Sequence, residues 1–226
     1  ANADASNLNF HLKTNRMIKL CKVSILLLLF GEIAFAQPDS LQQLYKKRQR
    51  TVIIGSSATY SASMVVLTAA WYSQSDRQSF KFFNDASEWK QMDKLGHTFS
   101  AFQVSAISSA NWQWSGVSKQ KSDRIGSLIS FGIMTSIEVL DGFSAGYGAS
   151  ISDVVANAAG TGLYWGQQAL WNETRIYPKY SFHRTHYAPI RPLLLGKGLA
   201  EEILKDYNGQ TQWLSVDMDK FVRFPK

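Results

Sequence analysis

From residue 51 to residue 172 the chain alternates long apolar stretches with short polar ones. Val52–Tyr72 is uncharged over a helix length and reads as the first helix. Asp93–Trp112, Arg124–Leu140 and Ile151–Trp171 carry apolar residues at helical spacing and read as three more. The polar connections between them are SQSDRQSFKFFNDASEW, SGVSKQKS and the glycine-rich DGFSAGYGAS. Ser122 or Asp123 is the expected N-cap of the third helix, and Ser150 or Ser152 that of the fourth. Helices two and four are rich in Ala, Gly and Ser, which lets backbones approach closely. Gly142 and Gly160 are assigned to such close packing.

Outside this region the pattern changes. Gln37–Arg50 is polar, a short helix or linker. From Asn172 onward the chain is basic and aromatic, with prolines at 178, 189 and 192, and is expected to run extended over the bundle. Gly198–Asp206 reads as a short amphipathic helix. TQWLSVDM alternates like a strand, which needs a partner strand to be stable. The expected fold is therefore all-α: a compact bundle of about four apolar, small-residue-rich helices (51–172), then an irregular tail (173–226) holding a short helix and a strand.

Composition adds an address. Of the 226 residues 45% are hydrophobic and only 18% charged, against about 25% charged in ordinary soluble domains. Residues 17–36 have the form of a secretion signal: a basic start (MIKLCK), an apolar run (VSILLLLFGEIAF) and the small-residue site Ala34-Phe35-Ala36. Export with a mature start at Gln37 is expected. Residues 1–16 precede this start and are set aside as upstream or non-native sequence. Cys21, the single cysteine, lies within the signal, so the mature chain has no thiol chemistry and no disulfide. The formal net charge is +7. Removing residues 1–36 takes away Lys13, Arg16, Lys19, Lys22, Asp4 and Glu32, leaving 20 Lys/Arg against 15 Asp/Glu, a net of +5. The basic run Lys46–Arg50 fits a solvated face or contact with anionic lipid. No nucleic-acid motif is present, so nucleic acid is not an expected partner. A membrane surface or envelope lipid is.

An integral four-helix protein is the alternative location. Helix one has the length and apolarity to span a bilayer. With four spans, however, the basic segments fall on the exported side and GFSAGYG, on the inner side, carries no positive charge, against the positive-inside rule. A periplasmic or outer-membrane-associated helical domain fits better.

Three of the helices carry residues that an inert core would not use. Asp93, Lys94 and His97 stand in DKLGH, Glu138 and Asp141 in EVLDG, and Asp153, Asn157 and Gly160 in SDVVANAAG. Spacings of three and four residues put each set on one helix face. Buried carboxylates need a counter-charge, a proton or a cation, so the three faces are expected to form one shared polar site. In order and spacing these motifs resemble the YfiM-type family of predicted periplasmic lipoproteins and, more distantly, the VanZ-like membrane proteins linked with glycopeptide resistance. The resemblance covers about residues 93–166. It implies a helical envelope protein and no particular reaction. The lipid-anchoring cysteine of the first family is absent, and so is the arginine that the second places before the serine–aspartate pair, where this chain has Gly148-Ala149.

The polar cluster of Asp93, Lys94, His97, Glu138, Asp141, Asp153 and Asn157 is read as structural or as a small-ligand site in a non-enzymatic envelope protein. A membrane-associated enzyme acting on lipid or cell-wall intermediates, with His97 as base and Glu138 and Asp153 beside it, is the alternative. A divalent metal on His97, Glu138 and Asp153 is a second alternative; otherwise no cofactor is expected. Gly142–Gly146 matches G-x-S-x-G, but a nucleophile elbow needs a preceding strand, and a helix is expected there. His183 and His186 lie in the basic tail and read as surface or packing residues.

Overall fold

The computed structural model describes residues 41–69 and 76–222. The signal segment and the mature start at Gln37 lie outside the described residues. Helix α1 spans Leu41–Leu67, α2 Met92–Trp114, α3 Lys119–Asp141 and α4 Ile151–Trp171. The helical bundle with a small C-terminal sheet is thus as expected, and α4 has the bounds read from sequence. Two starts differ. Helix α1 begins within the polar stretch, at Leu41. Helix α3 begins at Lys119 after Ser118, so Ser122 and Asp123 do not cap it. Both are buried inside the helix.

Helices α2, α3 and α4 pack mutually and form the core, and close contact is set by glycine. A Cβ on Gly126 would stand 2.5 Å from the backbone nitrogen of Ser109, and one on Gly160 would overlap the carbonyl of Thr98. Without side chains at these points, α3 and α4 both press against the backbone of α2. The buried layer mixes Ala101, Phe102, Met134, Ala156 and Tyr164 with serines. Those serines return their hydroxyls to main-chain carbonyls. Ser105 and Ser130 both donate to Ala101 O, at 2.8 and 2.7 Å, which removes the cost of burying them. Helix α1 joins the core through scattered contacts, among them Tyr60 Oη to Ser136 Oγ at 2.8 Å. The outer faces carry exposed apolar residues, including Ile107, Leu128, Ile151, Val155 and Leu170, each more than 60% accessible.

The tail pairs with itself. Strand β1 (Ile176–Phe182) runs antiparallel to β2 (Gln210–Val216), with Ile176 opposite Val216 and Phe182 opposite Gln210. The partner that the alternating TQWLSVDM segment required is therefore the segment read as extended. The short helices α5 (Pro192–Leu195) and α6 (Leu199–Lys205) fill the connection. Tyr180 packs on Phe99 of α2, with ring centroids 5.5 Å apart. Asp206, fully buried, accepts from Thr185 Oγ1 at 2.5 Å and from Asn208 N at 3.2 Å. That turn holds Tyr207 over the start of α2.

Candidate functional site

The polar faces of α2, α3 and α4 meet at one end of the bundle. Lys94, nearly buried, is at the centre. Its Nζ lies 2.6 Å from Asp153 Oδ1, 2.7 Å from Asp85 Oδ2 and 3.0 Å from Asp93 Oδ2. Burial opposes its charge, but hydrogen bonds and attraction from these three carboxylates outweigh burial and raise its pKa. Asp85 also accepts from Ser150 Oγ at 2.6 Å and Ser152 Oγ at 2.8 Å. Burial pushes Asp85 up, yet Lys94 and the two hydroxyls prevail and hold it down at about 2. Ser150 is at the same time the N-cap of α4, accepting from Asp153 N at 3.1 Å.

His97 is anchored on one side and open on the other. Its Nδ1 stands 3.0 Å from Asn157 Oδ1 and 3.5 Å from Glu138 Oε1. Because the asparagine oxygen can only accept, Nδ1 is the donor in this contact, and Nε2 is the ring nitrogen left to face the two aspartates. Nε2 lies 3.8 Å from Asp93 Oδ1 and 4.0 Å from Asp153 Oδ2, too far for hydrogen bonds. Tyr207 donates to Asp93 Oδ1 at 2.7 Å.

Both inner carboxyls titrate above the ordinary carboxylate range. Burial, with the nearby charges of Asp153 and Asp141, raises Glu138 to about 9. Burial raises Asp153 to about 6, against the lowering effect of His97 and Lys94. A carboxyl whose folded pKa exceeds its unfolded value stabilises most below the unfolded value and loses that contribution as pH climbs to the folded one. For Glu138 this window runs from about 4.5 to about 9. Glu138→Gln, kept neutral at every pH, is therefore expected to flatten the fall in stability across that window in chelator-treated protein. At pH 9 it should be more stable than the parent by on the order of 2–3 kcal/mol. Urea midpoints at pH 5, 7 and 9 check this, and parallel profiles for the two proteins would contradict a buried neutral Glu138.

Two cavities open onto the cluster. One, about 350 Å³, is mostly apolar, with Leu67, Phe99, Met134, Tyr180 and Ile203 in its wall. The other, about 440 Å³, is walled by Phe83, Asp85, Glu88, Asp141, Tyr147 and Asp153. Asp93, His97 and Tyr207 line both.

Every residue of the expected cluster except Asp141 is thus within direct contact of Lys94 or His97. Asp141 lies on the wall of the acidic cavity, and its charge reaches Glu138. Gly160 sits against Thr98, and Gly142 against the Phe80 ring. Sequence reading missed Asp85 and Tyr207. Both lie in connections without periodicity; DYNG carries only a turn signal. In the G-x-S-x-G segment, helix α3 ends just before Ser144, so the strand of a nucleophile elbow is missing. His183 and His186 follow β1 and line neither cavity of the cluster; the His186 ring stacks on Tyr187 at 3.9 Å.

A second buried cluster went unread because Asp123 resembled a cap. It accepts from Ser109 Oγ at 2.5 Å, Lys119 Nζ at 2.9 Å and Tyr164 Oη at 3.0 Å. Burial raises the Tyr164 hydroxyl to about 12, with the Asp123 charge adding to it. Both Asp123 oxygens are partnered, and the group lines neither of the cavities above.

Residues 81–165 match the family model described as predicted periplasmic lipoprotein (DUF2279). The match agrees with the YfiM-type resemblance and with an exported, envelope protein. The DUF2279 segment holds the cluster residues Asp85, Asp93, Lys94, His97, Glu138, Asp141, Asp153 and Asn157, whereas Tyr207 comes from the tail beyond it. No curated protein and no solved structure matches the chain. Among the described residues no helix is long and apolar enough to cross a membrane, so the four-span alternative has no support.

Proposed function

We propose that the protein is an envelope protein whose cluster around His97 binds a small ligand and is not merely a structural network. The contrast between the two buried clusters carries this reading. Asp123 is enclosed with both carboxylate oxygens satisfied, as a register-fixing network requires. The His97 cluster instead leaves His97 Nε2 and the buried Glu138 Oε1 and Asn157 Nδ2 without hydrogen-bond partners, and it faces two cavities. Binding sites are concave, largely apolar and carry a few convergent polar groups, which describes this end of the bundle. The apolar wall of Phe99, Met134 and Ile203 suits a ligand with a hydrophobic part. Lipid is the proposed partner of the exposed apolar helix faces, and flotation with phosphatidylethanolamine–phosphatidylglycerol vesicles tests it; a chain left at the bottom of the gradient excludes it.

Native mass spectrometry of protein isolated from the envelope fraction tests the ligand site. The parent is expected to carry a non-covalent organic species or metal ion. His97→Gln should lose it while keeping a melting temperature near the parent's. A parent free of any bound species, with His97→Gln losing stability instead, would return the cluster to a structural role.

A further inference from the structure

Asp93, His97 and Asp153 each offer one ligand atom within 4.8 Å of the others. The set differs from the one expected from sequence, in which Glu138 stood where Asp93 now does. Glu138 reaches the other ring nitrogen, Nδ1. Each carboxylate is divided in the same manner. Asp93 Oδ2 and Asp153 Oδ1 hold Lys94, while Asp93 Oδ1 and Asp153 Oδ2 face His97 Nε2. Asp153, 5% exposed, lines the acidic cavity.

We infer that Asp93 Oδ1, His97 Nε2 and Asp153 Oδ2 form a binding site for one divalent ion of the zinc or manganese class, resting on the ligand-site reading above. Four observations converge. One imidazole and two carboxylates suit these ions. Bond lengths of about 2.0–2.2 Å in a tetrahedral shell put two ligand atoms about 3.3–3.6 Å apart, so the pairs now at 3.8 and 4.0 Å need to close by about half an ångström each, and a pair at the 4.8 Å limit of the set by a little over one ångström. Metal-bound histidines donate their other N–H to a carbonyl or carboxylate, which fixes the ring, and Asn157 Oδ1 receives Nδ1 at 3.0 Å. Finally, Asp85, Asp93 and Asp153 against Lys94 leave two negative charges, which a divalent ion cancels. Three protein ligands leave coordination positions open, and these face both cavities. A ligand entering either one can complete the shell, the arrangement of sites that act on or hold a substrate.

The test uses full-length exported protein stripped with chelator and dialysed separately against Zn²⁺ and Mn²⁺, with bound metal measured by mass spectrometry. About one ion per chain is expected for at least one of them, with a rise in melting temperature on binding. His97→Gln and Asp153→Asn should each abolish uptake. Asn157→Ala, which leaves all three ligands in place, should weaken it by about 10–100-fold. Glu138→Gln, outside the ligand set, should still take up one ion; it also serves as a folded control should a ligand variant fail to fold. Far less than one ion per chain with both metals, or uptake unchanged in the two ligand variants, overturns the site. If the chain takes up no metal yet carries an organic species that His97→Gln loses, the metal falls and the ligand site stands. If it carries neither, both fall.

Discussion

Gly160→Ala is expected to destabilise the domain by about 3 kcal/mol, as overpacking of a rigid contact does. The added methyl would meet the carbonyl oxygen, carbonyl carbon and Cα of Thr98, all main-chain atoms of α2. A side chain could rotate away, but a helix backbone can yield only by moving the helix. That movement would separate Thr98 Oγ1 from Ala156 O, now 3.2 Å apart, and His97 from Asn157. Gly162, two residues further on, has nothing within 4 Å of its missing Cβ. Gly162→Ala should therefore be neutral or stabilise by about 0.5–1 kcal/mol, since alanine is the better helix former. Urea denaturation of both variants separates packing from propensity: similar midpoints would show that α2 and α4 do not touch at Gly160.

Lys94→Met should cost about 3–5 kcal/mol at neutral pH, the usual effect of leaving buried partner charges without their counter-charge. Asp85, Asp93 and Asp153 would then face one another without the lysine that bridges all three. The acid limb of the stability profile should change shape as well. In the parent, Asp85 is held at about 2, so its contribution is present above about pH 4 and fades as pH falls toward 2. In Lys94→Met the same carboxyls are pushed above their unfolded values. Their protonated forms are then favoured in the folded state, so stability rises more steeply than in the parent, where Asp153 and Glu138 are already raised, as pH falls from 7 toward 4, and the fall toward pH 2 is lost. Thermal unfolding of metal-free protein between pH 3 and 8 reads both effects. A variant that tracks the parent profile, merely offset, would mean that Lys94 is not the shared counter-ion. The size of the effect explains why the cluster needs a lysine: without it, three carboxylates could not be brought together at the end of one helix bundle.

How much of this was legible in advance differs from one residue to the next. His97 and Asp93, Asp153 and Asn157, and Glu138 and Asp141 were visible as pairs because each pair lies on one helix, where a spacing of three or four residues defines a face. The expectation that those faces meet was sound because buried ionisable groups require partners. The division of labour among them was not visible. Glu138 was read as a potential ligand equal to Asp153, yet α3 approaches His97 from the Nδ1 side and α2 itself supplies the Nε2 side through Asp93. Asp123 was misread for a related reason. A polar residue near a helix start looks like a cap until the helix is seen to begin a turn earlier.

From its own order of residues this chain determined four apolar helices, their glycine-thinned faces and three polar sets destined for burial, because helical periodicity and the cost of hiding charge are local properties. Only the tertiary structure decided which atoms meet. The Lys94–Asp85 pair, the Tyr207 hydroxyl on Asp93 and the pairing of β1 with β2 join a helix to aperiodic connections, or one end of the tail to the other. Such contacts follow from how the backbones approach at Gly126 and Gly160, and no spacing along the chain encodes that approach.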